Sequence, residues 1–292
     1  MPTADEDLLG APDRDRIRQA VHDSAAVEVA TATGRRPQTF PLSPFYDEST
    51  DRVVVTSAPA FAGKIEAIYE NPRLSLLFYD AEDPFLLRGR ATIRDDDLEA
   101  NTEYVQELIA AEPSSPKKDA FTKTSGALDS RLGRFLFGWY ALRILVEIEP
   151  LAIEPVSGDT CALPAWPAYD VDSAEAASYD RVTLTAVDEG GWPRTDSVRG
   201  IGVDGETARL DVPLSVEDGQ PACLLAHWHT PGLDELGQRL FRGRCREVDA
   251  DGEVGFEPGS TFSMRNETLL DRLKFIVQGK RRTRAYFADR EE

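Results

Sequence analysis

Leu87-Arg88-Gly89-Arg90-Ala91 and Phe241-Arg242-Gly243-Arg244-Cys245 set the same Arg-Gly-Arg between apolar residues twice in one chain of 292 residues. Two further echoes accompany them in the same order. Gly34-Arg35-Arg36-Pro37 returns as Gly190-Gly191-Trp192-Pro193, each between two strand-like runs, and Pro72-Arg73-Leu74-Ser75-Leu76-Leu77-Phe78-Tyr79 is answered by Pro221-Ala222-Cys223-Leu224-Leu225-Ala226-His227-Trp228. Ordered self-similarity of this kind is the signature of a repeated structural unit. The chain therefore reads as two copies of one β-rich domain. A duplicated domain can pair with itself inside one chain as an isologous homodimer pairs two chains, and a site built at such an interface then lies between the halves.

The text around the echoes supplies the elements. Asp13 to Ser24 places Ile17, Ala20 and Val21 at helical spacing, with acids near its start. Val27 to Ala32, Thr39 to Tyr46 and Arg52 to Thr56 are strand-like runs divided by turn residues, a meander. Ala62 to Glu70 is predicted helical up to Asn71-Pro72, which a helix does not pass. Strands follow at Arg73 to Tyr79 and Phe85 to Ile93, then an amphipathic helix over Leu98 to Ala111 and a closing strand over Tyr140 to Ile148. Leu269 to Val277 is helical in pattern. The fold class expected is mainly β with flanking helices, two tandem barrels forming an intrachain pseudo-dimer. Its domains are residues 1–155 and 180–292, joined by a Pro-, Ala-, Ser- and Asp-rich linker over 156–179.

Composition narrows the partners. Thirty-three basic against 52 acidic residues give a net charge of -19, which repels nucleic acid and anionic membrane surfaces. Only six of the basic residues are lysines, among them Lys64, Lys117 and Lys280. That pattern suits a high-salt cytoplasm, because salt shortens the reach of self-repulsion to about 3 Å at 1 M; an ordinary acidic protein is the simpler alternative. Residues 1–6 are acidic with no apolar run, and no stretch reaches about 18 apolar residues, so a soluble, cytoplasmic protein is expected. Cys161, Cys223 and Cys245 are odd in number and widely spaced, which suits buried thiols in a reducing compartment.

Taken in order, Gly34-Arg35-Arg36-Pro37, Pro41 to Tyr46, Val53-Val54-Val55-Thr56-Ser57, Lys64, Asn71-Pro72-Arg73 and Leu87-Arg88-Gly89-Arg90-Ala91 resemble the pyridoxamine-phosphate-oxidase-like split β-barrels over residues 14–155. The second half is tied to that family only through the internal repeat. The resemblance implies a cofactor held where two barrels meet: flavin mononucleotide (FMN) first, deazaflavin or haem as alternatives. It further implies that Thr56 and Ser57 sit near the phosphate, that Lys64 neutralises it with help from Arg36 and Arg90, and that Pro41, Leu42 and Ser43 line the ring. Each position also has a plainer reading: a solvent-facing lysine, an arginine paired across strands, an edge strand with proline. Gly63 stands where vitamin oxidases of the family carry an arginine, so flavin or deazaflavin reductases fit better than a vitamin oxidase.

In the second copy Gln220, Glu217 and Asp218 fall where the lysine is expected, and acids there repel a phosphate. Only the site holding Lys64 is therefore expected to bind cofactor, with Trp192, Arg194, His227, Trp228 and His229 as its other wall. His227 and His229, two apart on a strand, share one face; they are metal or haem ligands or donors to a substrate, or else replacements for Phe78 and Asp80 of the first copy. With no third ligand and no Cys-x-x-Cys, no metal is expected. Walker and Gly-x-Ser-x-Gly motifs are absent. The basic run Lys280-Arg281-Arg282-Thr283-Arg284 either pairs with the protein's own acids or reaches the anionic cofactor. The function expected is a flavin-dependent oxidoreductase acting on a small organic substrate, in a monomer with an internal pseudo-dimer or in a homodimer; the alternative is a non-catalytic flavin- or haem-binding or sensor protein.

Overall fold

The structure is a computed structural model and describes residues 9–127, 131, 138–248, 252–265 and 269–291; the acidic residues 1–6 lie outside them. In the first half, helix α1 (Ala11–Asp23) buries Ile17, Ala20 and Val21. Strands β1 (Val27–Thr33) and β2 (Arg36–Leu42) form a hairpin. Its turn uses Gly34 at φ +56°, where a side chain is strained. Then come β3 (Pro44–Asp47), β4 (Arg52–Ser57), a 3-10 helix (Pro59–Lys64) and α2 (Glu66–Glu70). The single helix expected over Ala62 to Glu70 is thus two short ones. β5 (Arg73–Phe78) and β6 (Phe85–Arg94) follow. Helix α3 (Leu98–Ala111) starts where the Asp97 carboxylate accepts from the Ala100 N–H, and α4 (Pro116–Ala127) was not legible in the sequence pattern. β7 (Ile144–Pro155) begins later and runs further than expected, because it pairs with both β4 and β6.

The second half opens with α5 (Ser173–Ala176) and continues through β8 (Arg181–Val187), β9 (Pro193–Ser197), β10 (Gly200–Asp204), β11 (Thr207–Asp211), β12 (Pro221–His229), β13 (Leu236–Val248) and β14 (Val254–Arg265) to helix α6 (Leu269–Glu291). The first sheet runs β2-β1-β5-β6-β7-β4-β3; the second, taken from its β9 edge, runs β9-β8-β12-β13-β14-β11-β10. Matched in chain order, the strands are identical, all antiparallel pairs. The fold is two split β-barrels in tandem. Each has its own apolar core, the first around Val29, Leu76, Leu87 and Val146, the second around Leu184, Leu224, Phe241 and Phe256. The connecting residues 156–179 contribute Trp166, Val171 and Tyr179 to the second core, all fully buried.

The repeated Arg-Gly-Arg text falls at a repeated defect. In β6 and β7 the register slips between Arg88 and Gly89, and in β13 and β14 between Arg242 and Gly243. Gly89 faces Pro150 and Gly243 faces Pro258, so Glu149-Pro150 and Glu257-Pro258 also match, an echo the sequence reading missed. A bulge in this position bends the strand toward closure. The same registers correct one alignment. Leu74 lies opposite Gly89 and Ala222 opposite Gly243, so Ala222 answers Leu74 and His227 answers Tyr79, one residue from the sequence match. Since strand side chains alternate, that single step moves every residue to the other face. His227 and His229 therefore do not stand in for Phe78 and Asp80.

The halves meet through β1, β2 and β5 on one side and β8, β9 and β12 on the other. Thr39 Oγ1 is 2.6 Å from Thr185 Oγ1, which is 2.8 Å from Thr195 Oγ1; Thr39 and Thr195 hold matching places beside β1 and β8. Helix α6 crosses back to the first half. Phe275 stacks on Phe61 at 5.7 Å and meets Trp139 edge-on at 5.4 Å, while Arg290 pairs with Asp95.

Candidate functional site

β4 delivers the chain into the 3-10 helix, with the Ser57 hydroxyl donating to the Phe61 carbonyl at 3.2 Å. Buried Ile65 and Ile68 pin the start of α2 into the first core. Lys64 is thereby held with its ammonium 5.4 Å from the Phe40 ring centroid and 5.8 Å from that of Phe61, a cation–π arrangement. Burial lowers its pKa from the ordinary 10.5 to about 8. No ion pair to Lys64 occurs among the described residues.

Lys64 lines a cleft of about 380 Å³ between the halves, a size suited to a small ligand. The first half contributes Gln38, Thr39 and Phe40 from β2 and Ala60, Phe61, Gly63 and Lys64 from the 3-10 helix; the second contributes Gln238, Leu240 and Arg242 from β13, Phe262 from β14 and Arg282 from α6. Gln238, Leu240 and Arg242 alternate along β13, so one face of that strand forms a wall. Among the described residues, three cations and three aromatic rings line the cleft, and no carboxylate does. In a chain of 52 acids, that segregation leaves like charges facing one another across a confined space, a cost that an anion would remove.

The remaining sequence-derived residues lie elsewhere. Arg36 is exposed at the start of β2 opposite Thr33; Pro41 and Leu42 pair with Glu28 and Val27 at its other end. Ser43 links β2 to β3, and Thr56 and Ser57 end β4. Arg90 lies between Arg73 and Glu149 in the sheet. Of these positions and Lys64, Lys64 alone lines the cleft.

None of the five second-half residues lines the cleft: Trp192, Arg194, His227 and His229 meet the first half at the junction, while Trp228 packs against the second core. Trp192 lies under the guanidinium groups of Arg73 and Arg88, at 5.5 and 5.8 Å, and Arg194 pairs with Glu154 at 2.8 Å. His227, buried, places Nε2 2.7 Å from Glu28 Oε1. Trp228 packs over Gly237, where a Cβ would come within 2.4 Å of its Nε1. His229 Nε2 is 3.0 Å from the Tyr79 hydroxyl; burial, and next the Glu28 charge, hold that phenol well above its ordinary pKa, while burial lowers the pKa of His229. The two imidazoles do share a face, stacked 6.1 Å apart. Among the described residues no group of three or more His, Cys, Asp or Glu is placed to hold a metal ion.

Sequence reasoning passed over Gln38, Phe40, Gln238, Leu240 and Phe262. Arg242 and Arg282 carried a signal: the first lies in the repeated Arg-Gly-Arg, the second in the basic carboxy-terminal run. Arg282 of that run lines the cleft, and further along α6, outside the run, Arg290 pairs with Asp95. Cys223 and Cys245 are buried free thiols whose surroundings push them up to about 11 and about 12, inert packing groups.

Each half is a split β-barrel. Solved structures resemble this chain at low identity. A pyridoxamine 5'-phosphate oxidase-related, FMN-binding protein of Nostoc punctiforme is 13% identical with a TM-score of 0.34, the match covering 65% of this chain and 98% of that one. An FAD-binding protein of Mesorhizobium loti is 18% identical at a TM-score of 0.32, covering 50% and 90%. HutZ, a haem storage protein of Vibrio cholerae, is 14% identical at a TM-score of 0.31, covering 50% and 93%. No protein-family model matches the chain, and no curated protein matches it. No helix among the described residues is long and apolar enough to cross a membrane.

Proposed function

We propose that this chain binds a phosphate-bearing flavin of the FMN type in the Lys64 cleft and serves as an oxidoreductase for a small organic substrate. The observation that carries the reading is the lining itself: among the described residues Lys64, Arg242 and Arg282 converge without a carboxylate, beside Phe40, Phe61 and Phe262. Such a set fits a ligand with an anionic end and a flat aromatic body. The three cations would hold the phosphate, with the arginines able to donate in pairs; the rings and Leu240 would cover the ring system, and Gln38, Thr39 and Gln238 would meet its polar edge. A bound flavin supplies the hydride or electron transfer, and the protein supplies orientation and shelter from water.

In this reading Thr56 and Ser57 act at one remove, through the bond from Ser57 that fixes the lysine-bearing turn. His227 and His229 have their Nε2 atoms within reach of Glu28 and Tyr79, which favours a packing and linking role over haem ligation. A high-salt cytoplasm fits the surface charge. The test is spectroscopic: titrate the protein with FMN, deazaflavin and haem, following absorption and fluorescence. Saturable FMN binding that weakens in both Lys64→Ala and Arg242→Ala supports the site, and substrate-dependent reduction or reoxidation of the flavin separates an enzyme from a carrier. Protein that ignores FMN, or binds it undiminished in both variants, overturns the assignment.

A further inference from the structure

The internal two-fold relation gives the Lys64 cleft an equivalent position between the halves, and its residues can be read from the registers. Arg242 answers to Arg88, each beside the bulge glycine; Ser260 lies opposite Arg242 as Ala152 lies opposite Arg88, so Phe262 answers to Glu154. Thr39 answers to Thr195, so Gln38 answers to Arg194. The second position is thus also basic, with Arg88 and Arg194. It differs in what stands between them. Glu154 Oε1 is 2.6 Å from Arg88 Nε and its Oε2 is 2.8 Å from Arg194, while Asp188 Oδ2 is 3.3 Å from the other side of Arg88.

We infer that this second position is a latent anion site whose ligand has been replaced by the chain's own carboxylates, Glu154 chief among them. The inference deepens the reading of the Lys64 cleft and rests on it for the chemical class of ligand, an anion such as a phosphate group. In the first cleft a phenylalanine leaves Arg242 without a partner among the described residues. At the second position, a carboxylate in the matching place bridges two arginines, and these four side chains are one-fifth to under one-half exposed, so the attraction is only partly screened. An external anion there must displace a tethered one whose effective concentration is high. The chain accordingly takes one anion where its fold has two places, and Glu154 is the residue that decides between them.

The experiment is equilibrium dialysis against radiolabelled inorganic phosphate at low salt, with wild type, Glu154→Gln/Asp188→Asn and Glu154→Phe, the last restoring the residue found in the first cleft. Each is repeated in a Lys64→Ala/Arg242→Ala background. The expected result is a gain of one phosphate per chain in both variants, lost again on adding Arg88→Ala, and the same gain in the Lys64→Ala/Arg242→Ala background. That background separates the two readings: wild type binding no phosphate sinks the first cleft, whereas the gain on freeing Arg88 stands or falls alone. Two phosphates per wild-type chain, or no gain in either variant when circular dichroism shows both folded, overturns the inference.

Discussion

Gly89 and Gly243 occupy the same place in the two barrels, and neither position admits a side chain. A Cβ at Gly89 would lie 2.4 Å from the Ile148 Cγ2 and 3.0 Å from the Glu149 carbonyl oxygen; one at Gly243 would lie 2.2 Å from the Glu257 carbonyl oxygen. The obstruction at Gly243 is backbone, which cannot turn aside as a methyl group can. Gly243→Ala is therefore expected to cost more than Gly89→Ala, the former on the order of 1–3 kcal/mol. Thermal unfolding of the two variants measures it, and equal melting temperatures would contradict the account.

Lys64 ties binding to pH. Its folded-state pKa of about 8 lies below the ordinary 10.5, so between these values the unfolded chain binds more protons and the free protein gains stability as pH rises. An anion needs the protonated form. FMN affinity is expected to fall as pH rises through about 8, with proton uptake on binding, and Lys64→Ala is expected to lose both along with about 10- to 100-fold in affinity. Calorimetry in buffers of different ionisation enthalpy reads the proton directly.

Asp196 has the opposite sign. It takes the place in β9 that Phe40 takes in β2, and burial raises its pKa from 3.8 to about 6 despite the Ser197 N–H it accepts. Its contribution is fully present below pH 3.8 and lost as pH climbs through about 6. Asp196→Asn should therefore stabilise the protein at pH 7, on the order of 1 kcal/mol, and flatten stability between pH 4 and 6. Denaturant unfolding across that range decides it.

Helix α6 is seated by a close approach: a Cβ at Gly279 would come within 2.1 Å of the Trp139 ring. Gly279→Val is expected to lift the helix, seen as faster amide exchange in α6. Because Arg282 rides on that helix, FMN binding should weaken with it; unchanged affinity would show that Arg282 contributes nothing.

The charge of -19 makes salt a stabiliser. Raising potassium chloride from 0.15 M to 1 M shortens the screening length from about 8 to about 3 Å, and the melting temperature should rise across that interval. A flat or falling curve would remove the high-salt reading.

The range of each force sets how much of this molecule was legible in its sequence. The repeated Arg-Gly-Arg, the turn at Gly34 and the amphipathic run of α3 express local rules: a bulge that tolerates only glycine, a left-handed turn, a helical period. Those determined that the protein is β-rich and double, and Lys64 stood out because so few lysines surround it. The exact pairing of β12 did not emerge, since sequence similarity tolerates a one-residue slip that the pleat of a sheet does not. Nor did the cleft. Lys64 is joined by Arg242 and Arg282 only when β13 and α6 are laid against the first barrel, and Glu154 meets Arg194 only across the same junction. The sequence by itself determined a doubled β-rich domain, because periodicity and turn chemistry act between near neighbours. Tertiary structure decided which cations face open space and which face a carboxylate, because that depends on packing between residues far apart in the chain.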